Sequence, residues 1–258
     1  AFDGFTRETL QVGAECIPTW RSGNGPVVIL VHGWEHDHTS LGGFVSPLLD
    51  QGLTVVTLDL PAHGLATGRF APLPLMAQAI AAVGKKFGPV HGVIAHSVGG
   101  AMSVLATERY GLEAQRLVLI GAPQGAKYQA ISQGRSSGLS RRALTRMVDQ
   151  IDAALGEPLE GFRVDTALAQ ARCNTLIIHA QDDRVVSIEA ARHNASACNA
   201  ATLWLHSGGH NRPLGDANVI RGAIRFLQAG AEDESIPLRP EHQPALSALP
   251  SLTDKHSI

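Results

Sequence analysis

The stretch Ala95-His96-Ser97-Val98-Gly99-Gly100 decides how this chain is read. It follows a mostly apolar run, Val90 to Ile94, and precedes a helical pattern from Val98 to Tyr110. A serine at such a strand-to-helix junction is held on a sharp, strained turn that lifts its hydroxyl clear of the sheet. The turn needs small residues two before and two after the serine, because larger side chains would collide there. Ala95 and Gly99 meet that need, and Gly100 gives the helix more room against the strand. The segment is a G-x-S-x-G elbow with alanine in place of its first glycine, which makes Ser97 the candidate nucleophile. The bland alternative is an ordinary strand–glycine turn that happens to hold a serine.

A serine nucleophile needs a base, a group that orients the base, and donors for the developing oxyanion. Of the twelve histidines, His210 stands apart because it follows the strand pattern Ala201 to Leu205 through Ser207-Gly208-Gly209. A Gly-Gly pair lets a loop fold back over the sheet edge and present an imidazole. His206 is the weaker choice, since it sits at the strand end, where the pleat fixes its direction. The strand pattern Thr175 to His179 runs into Asp182 and Asp183, two adjacent carboxylates that compete as the acid. The loop Gly121 to Ala126 after the preceding strand holds no carboxylate. The buried-strand run Val27 to Val31 ends in His32-Gly33-Trp34, a glycine turn able to aim backbone N–H groups at an oxyanion. The donors expected are the amides of Trp34 and Val98.

Together these residues resemble the α/β-hydrolase superfamily over roughly residues 7 to 229. The resemblance implies the chain order serine, acid, histidine, and places the acid at Asp183, with Val185 and Val186 anchoring its loop in the core. Asp182 then caps the loop or faces solvent. The loop Asp59-Leu60-Pro61-Ala62-His63-Gly64 is similar to the D-x-P-G-H-G common in the superfamily, with Ala62 where glycine is usual. Ser187 stands where a proline is frequent. His32-Gly33-Trp34-Glu35 resembles a smaller branch of serine hydrolases. Serine at the elbow argues against the dehalogenases and epoxide hydrolases of this superfamily, which need a carboxylate nucleophile.

At 258 residues and 44% hydrophobic content, the chain can bury one sheet covered on both faces. A net charge of −2 leaves no footprint for nucleic acid. No run of eighteen apolar residues marks a membrane span. Three cysteines form no disulfide framework and point to a reducing compartment, read as the cytoplasm. Strands alternating with helices imply a mostly parallel sheet with helices on both faces and a site at the carboxyl ends of the strands. Glu8 to Trp20 reads as two strands broken near Gly13, with Pro18 suggesting an edge.

Residues 1–230 are expected to form the hydrolase domain, with a lid inserted at about 124–173 and a proline-rich tail at 231–258. The clearest lid element is a helix from Ser140 to Leu155, with Leu144, Met147, Val148, Ile151 and Leu155 on one face. Between Lys127 and Arg146 lie five basic residues and no acidic one, read as an exposed helix face. Trp34, His96 and Met147 are the expected pocket residues.

The cluster His32, Glu35, His36, Asp37, His38 invites a metal reading, but lacks the order of binuclear metallohydrolases; His36 and His38 are read as the solvated rim of the cleft. No dinucleotide fingerprint or phosphate-loop lysine appears, so no cofactor and no metal is expected. The expected activity is a serine esterase acting on a small-molecule ester, with short acyl chains preferred because the Trp34 indole narrows the pocket. A lactonase, thioesterase or acyltransferase would use the same triad. A non-catalytic ligand receptor on this fold is the reading of another class. The oligomeric state is not readable from the sequence.

Overall fold

The computed structural model describes residues 2–198 and 200–229; the tail expected at 231–258 lies outside them. Eight strands form one sheet in the order β1-β2-β4-β3-β5-β6-β7-β8. They are β1 (Thr6–Val12), β2 (Glu15–Ser22), β3 (Val27–Val31), β4 (Thr54–Leu58), β5 (Val90–His96), β6 (Ala114–Ile120), β7 (Asn174–Ala180) and β8 (Ala201–Leu205). β1 and β2 form an antiparallel hairpin, β2 joins β4 antiparallel, and every later pairing is parallel. The sheet is the α/β-hydrolase fold expected from the sequence.

The central strands read as unbroken apolar runs because both their faces are covered. Val27, Ile29 and Val31 enter one core and Val28 and Leu30 the other, and all five are buried. The first core lies under α2 (Leu73–Phe87), α3 (Val98–Arg109), α6 (Val164–Gln170) and α7 (Ile188–Cys198). The second lies under α1 (Gly42–Asp50) and α8 (Ala217–Gln228). Each fully buried aliphatic side chain of this kind contributes about 1.5–3 kcal/mol. Asp216 starts α8 by accepting from the N–H groups of Asn218 and Val219 at 2.7 and 3.2 Å.

Two expectations change. Pro18 is not at an edge: β1 is the edge strand, and β2 lies between β1 and β4. The β2–β4 ladder begins only at Thr19, so the N–H that proline lacks is not required of that ladder. The insertion between β6 and β7 is larger in helices than the single lid helix read from the sequence. It holds α4 (Ala126–Ser136), α5 (Arg141–Leu155), a short 3₁₀ turn at Leu159–Gly161 and then α6. Helix α4 carries no apolar stripe, and its sole buried residue is Gly134, against which Leu144 of α5 packs. Among the described residues, no helix is long and apolar enough to cross a membrane.

Candidate active site

β5 ends at His96, and the chain turns at Ser97 with φ 52° and ψ −125° before entering α3. A left-handed φ at a non-glycine residue stores about 1–3 kcal/mol, held here by the surrounding packing. The Ser97 N–H donates to the carbonyl of Ile120 on β6 at 2.9 Å, which pins the elbow to the neighbouring strand. The small residues around it have specific reasons. A Cβ on Gly99 would overlap the His32 carbonyl oxygen, and one on Gly100 would come within 3.0 Å of the Ala122 Cβ. Ala95, by contrast, lies within β5, fully buried, where alanine fits as well as the more usual glycine.

Across the cleft, the loop after β8 carries Gly208 and Gly209, both at positive φ (148° and 59°), and then His210. The His210 Nε2 lies 2.9 Å from the Ser97 Oγ, and its Nδ1 lies 2.7 Å from the Asp183 Oδ2. The other carboxylate oxygen of Asp183 accepts from the Val185 and Val186 N–H groups at 2.8 and 3.0 Å. Burial opposes ionisation of Asp183, but the bond to His210 and these two N–H groups outweigh it and hold the carboxyl below its ordinary range. Ser97 is only 9% exposed. The carboxylate, imidazole and hydroxyl thus form a continuous hydrogen-bonded relay, with the His210 Nε2 facing the Ser97 Oγ.

Asp182 plays a different part. Its Oδ1 accepts from the Gly209 N–H at 2.7 Å, so it tethers the histidine loop from outside. Only Val186 anchors the acid loop in the core; Val185 is 43% exposed, so the expectation that both valines do so is corrected.

The loop expected to hold an oxyanion donor follows β3. Gly33 lies against the elbow: a Cβ there would come within 2.7 Å of the His96 Nδ1 and 3.1 Å of the Ser97 Cβ. Among the described residues, neither the Trp34 N–H nor the Val98 N–H donates to a protein acceptor, which leaves both free for an incoming oxygen. His32 secures the loop. Its Nδ1–H donates to the Gly33 carbonyl at 2.7 Å and its Nε2 accepts from the Leu60 N–H at 2.9 Å. Burial pushes its pKa down to about 4, so the neutral ring persists.

The three expected pocket residues fall in three different places. Trp34 is 54% exposed and meets His63 edge-on at 5.1 Å, so it stands at the mouth and does not line an enclosed wall. His96 is 1% exposed and lies behind the relay. Met147 packs inside the α4–α5 hairpin, near Gly134. His38 also corrects the sequence reading. It is not a solvated rim residue but stacks on Trp20, with ring centroids 3.6 Å apart, and its Nδ1 bonds the Asp59 Oδ1 at 2.9 Å. His36 is half-buried and stacks on His96. No cluster of three or more His, Cys, Asp or Glu able to hold a metal ion occurs among the described residues.

Sequence reasoning missed two contributors. His179 on β7 donates from its Nε2 to the Val186 carbonyl at 2.9 Å and sits 3.5 Å from the Asp183 Oδ2, backing the acid loop. The fully buried Asp59 accepts from the His38 N–H and the Leu65 N–H, joining two loops of the site. The D-x-P-x-H-G pattern flagged the second; no local signal flagged the first.

Fold and relay together define a hydrolase, and the profile of the alpha/beta hydrolase family matches residues 28–221. The chain belongs to that family. Among curated proteins it is similar to the pimeloyl-[acyl-carrier protein] methyl ester esterase of Xanthomonas campestris pv. campestris (strain B100), 27% identical over 250 residues, covering 80% of this chain and 97% of that one. The enzyme of the same description from Stenotrophomonas maltophilia (strain R551-3) is 26% identical over 247 residues, covering 81% of this chain and 95% of that one. Among solved structures, an esterase from Exiguobacterium antarcticum superposes with a TM-score of 0.66 at 17% identity, covering 86% of this chain and 99% of that one. That likeness speaks for the fold.

Proposed function

We propose that Ser97, His210 and Asp183 hydrolyse short-chain carboxylic esters through an acyl-enzyme on Ser97. The protein is a carboxylic ester hydrolase. The observation that carries the residue-level reading is the continuous Asp183–His210–Ser97 relay, at 2.7 and 2.9 Å, meeting a serine held at φ 52°. As the Ser97 Oγ attacks the ester carbonyl carbon, His210 Nε2 takes the hydroxyl proton and Asp183 stabilises the imidazolium without accepting that proton. The Trp34 and Val98 N–H groups receive the carbonyl oxygen as it becomes an oxyanion, each worth about 3–4 kcal/mol in comparable sites. Collapse breaks the ester C–O bond, and the alcohol leaves with the proton from His210. Water then attacks the acyl carbon, giving one proton to His210; the acid departs and Ser97 regains its proton.

The preference for short acyl chains rests on the Trp34 indole beside the expected oxyanion donors, at the edge of a cleft formed by the loops after β3 and β4. The cleft measures about 470 Å³, with Trp34, His36, His63, Arg69 and Phe70 among its lining residues. Ser97→Ala is expected to abolish ester turnover and fluorophosphonate labelling while the protein stays folded. Labelling of the alanine variant, or near wild-type hydrolysis, refutes the assignment. On p-nitrophenyl esters, activity should peak at about C2 to C6 and fall by C12. EDTA should leave turnover unchanged, since no step uses a Lewis acid.

One observation favours a second substrate. Lys127, Arg135, Arg141, Arg142 and Arg146 place five cations and no anion on residues 127–146, with Asp149 and Asp152 following on α5 and Lys127 paired with Glu160 at 3.2 Å. Such a surface suits a substrate presented by a negatively charged partner, and the relatives' names describe an ester carried on an acyl-carrier protein. A methyl ester tethered to a carrier protein, turned over faster than the free methyl ester, would select this reading.

A further inference from the structure

We propose that His96 is a positioning residue for His210: its Nε2–H holds the His210 backbone carbonyl and so sets where the imidazole meets Ser97. The proposal rests on His210 being the base, as argued above. The His96 Nε2 lies 3.1 Å from the His210 carbonyl oxygen. A carbonyl can only accept, so Nε2 carries the hydrogen, and in the neutral ring Nδ1 is then a bare lone pair. That Nδ1 is buried without a partner. A buried histidine that leaves one nitrogen unsatisfied is a costly way to fill a core, and a phenyl ring would fill the same space without that cost. What histidine adds here is the single donor aimed at the base loop.

The surroundings explain why that donor matters. Gly208 and Gly209 give the base loop little stiffness of its own, since both sit at positive φ and carry no side chain. Besides the His210–Ser97 bond itself, three hydrogen bonds fix it: Asp182 holds the Gly209 N–H, Asp183 holds the His210 ring, and His96 holds the His210 carbonyl. Of these, His96 alone is rigidly joined to the nucleophile, being its chain neighbour at the end of β5. Its ring is wedged on both sides. The His210 ring lies 4.7 Å away at 47°, and the His36 ring stacks at 5.5 Å and 16°. Gly33 of the oxyanion loop leaves room for it, since a Cβ there would come within 2.7 Å of the His96 Nδ1. One ring therefore touches the nucleophile strand, the base loop and the oxyanion loop. Burial first, then the neighbouring His210, pushes the His96 pKa down to about 3, so the ring stays neutral while His210 cycles through its charged form.

The test compares His96→Phe, which keeps the ring volume and loses the donor, with His96→Gln, which restores an N–H donor. Positioning predicts that kcat falls about 10- to 100-fold in His96→Phe while KM stays within about twofold. His96→Gln should recover most of that loss. Wild-type kcat in His96→Phe, equal losses in both variants, or a rise in KM alone (the signature of a pocket wall) would each overturn the proposal. A second measurement needs neither substrate nor variant. Imidazole ¹⁵N spectra of the wild-type protein should show His96 as the Nε2–H tautomer between about pH 5 and 8, and an Nδ1–H tautomer refutes the hydrogen bond outright.

Discussion

Asp182 and Asp183 are adjacent in the chain and unlike in surroundings. Asp183 is 9% exposed, bonded to the His210 ring and to two backbone N–H groups, whereas Asp182 is exposed and holds one N–H of the loop beyond. Asp183→Asn removes the acceptor that selects the Nδ1–H tautomer, and should lower turnover by several powers of ten; the same change in a serine protease costs about 10⁴-fold. Asp182→Asn keeps an amide oxygen able to accept from Gly209, and should cost about tenfold or less. Equal losses in kcat, or a larger loss at position 182, would reverse the two roles. That Ser97, Asp183 and His210 meet was legible in the sequence, since each lies on a turn with local markers: small residues around the serine, valine after the acid, paired glycines before the histidine. His179 and the true place of His96 were not legible. Their roles depend on which strand lies beside β5 and β7, and no local pattern encodes that.

Two loops, one after β3 and one after β4, are joined through a buried carboxyl that belongs to neither oxyanion donor. Asp59 receives the His38 N–H at 2.8 Å and its Nδ1 at 2.9 Å on one oxygen, and the Leu65 N–H at 2.7 Å on the other. Gly64, at φ 52°, must lack a side chain because a Cβ would overlap that carboxyl. Ala62 in the same loop adopts φ 60°, which explains physically why glycine is usual at that place, and marks a strained residue in this chain. Asp59→Asn would turn an amide N–H against one of these donors, leaving a buried N–H without an acceptor. It should cost about 2–3 kcal/mol in urea unfolding and lower kcat as the oxyanion loop loosens. An unchanged midpoint would show that the two loops are held by packing alone. The helices of the insertion show the limit of reading by pattern. The amphipathic α5, capped by Ser140 and ended by Gly156 at φ 74°, was evident in the sequence. The sequence of α4, AKYQAISQGRS, offers neither an apolar stripe nor a capping side chain, and its helix is held by α5 and by the Gln129 bond to the Val185 carbonyl.

For the molecule as a whole, the cost of building the site in a dry interior falls on its imidazoles. Burial, the chief cause in both, pushes His32 and His96, each 1% exposed, down to about 4 and about 3 in the folded protein, from 6.5 for an imidazole in the unfolded chain. Above pH 6.5 neither state takes up these protons. Below it the unfolded chain binds them and the native state does not, so stability is complete above the unfolded pKa and is lost as pH falls towards the folded values. Between pH 7 and 5 the loss integrates to about 2 kcal/mol for each of the two rings. Carboxylates contribute in a lower window: Asp183 lies below its ordinary range and Asp165 is down at about 2, so both protonate beneath the range tested. Urea midpoints should therefore drop markedly from pH 7 to pH 5, before any acid denaturation by carboxylates begins. Burial also lowers His36 and His179, which add to the same window, so His96→Gln, which carries no titratable ring, should flatten the slope by less than half. A midpoint that holds steady from pH 7 to 5 would mean that the two rings take up protons in the native state, and the dry histidine cluster behind the relay would have to be abandoned.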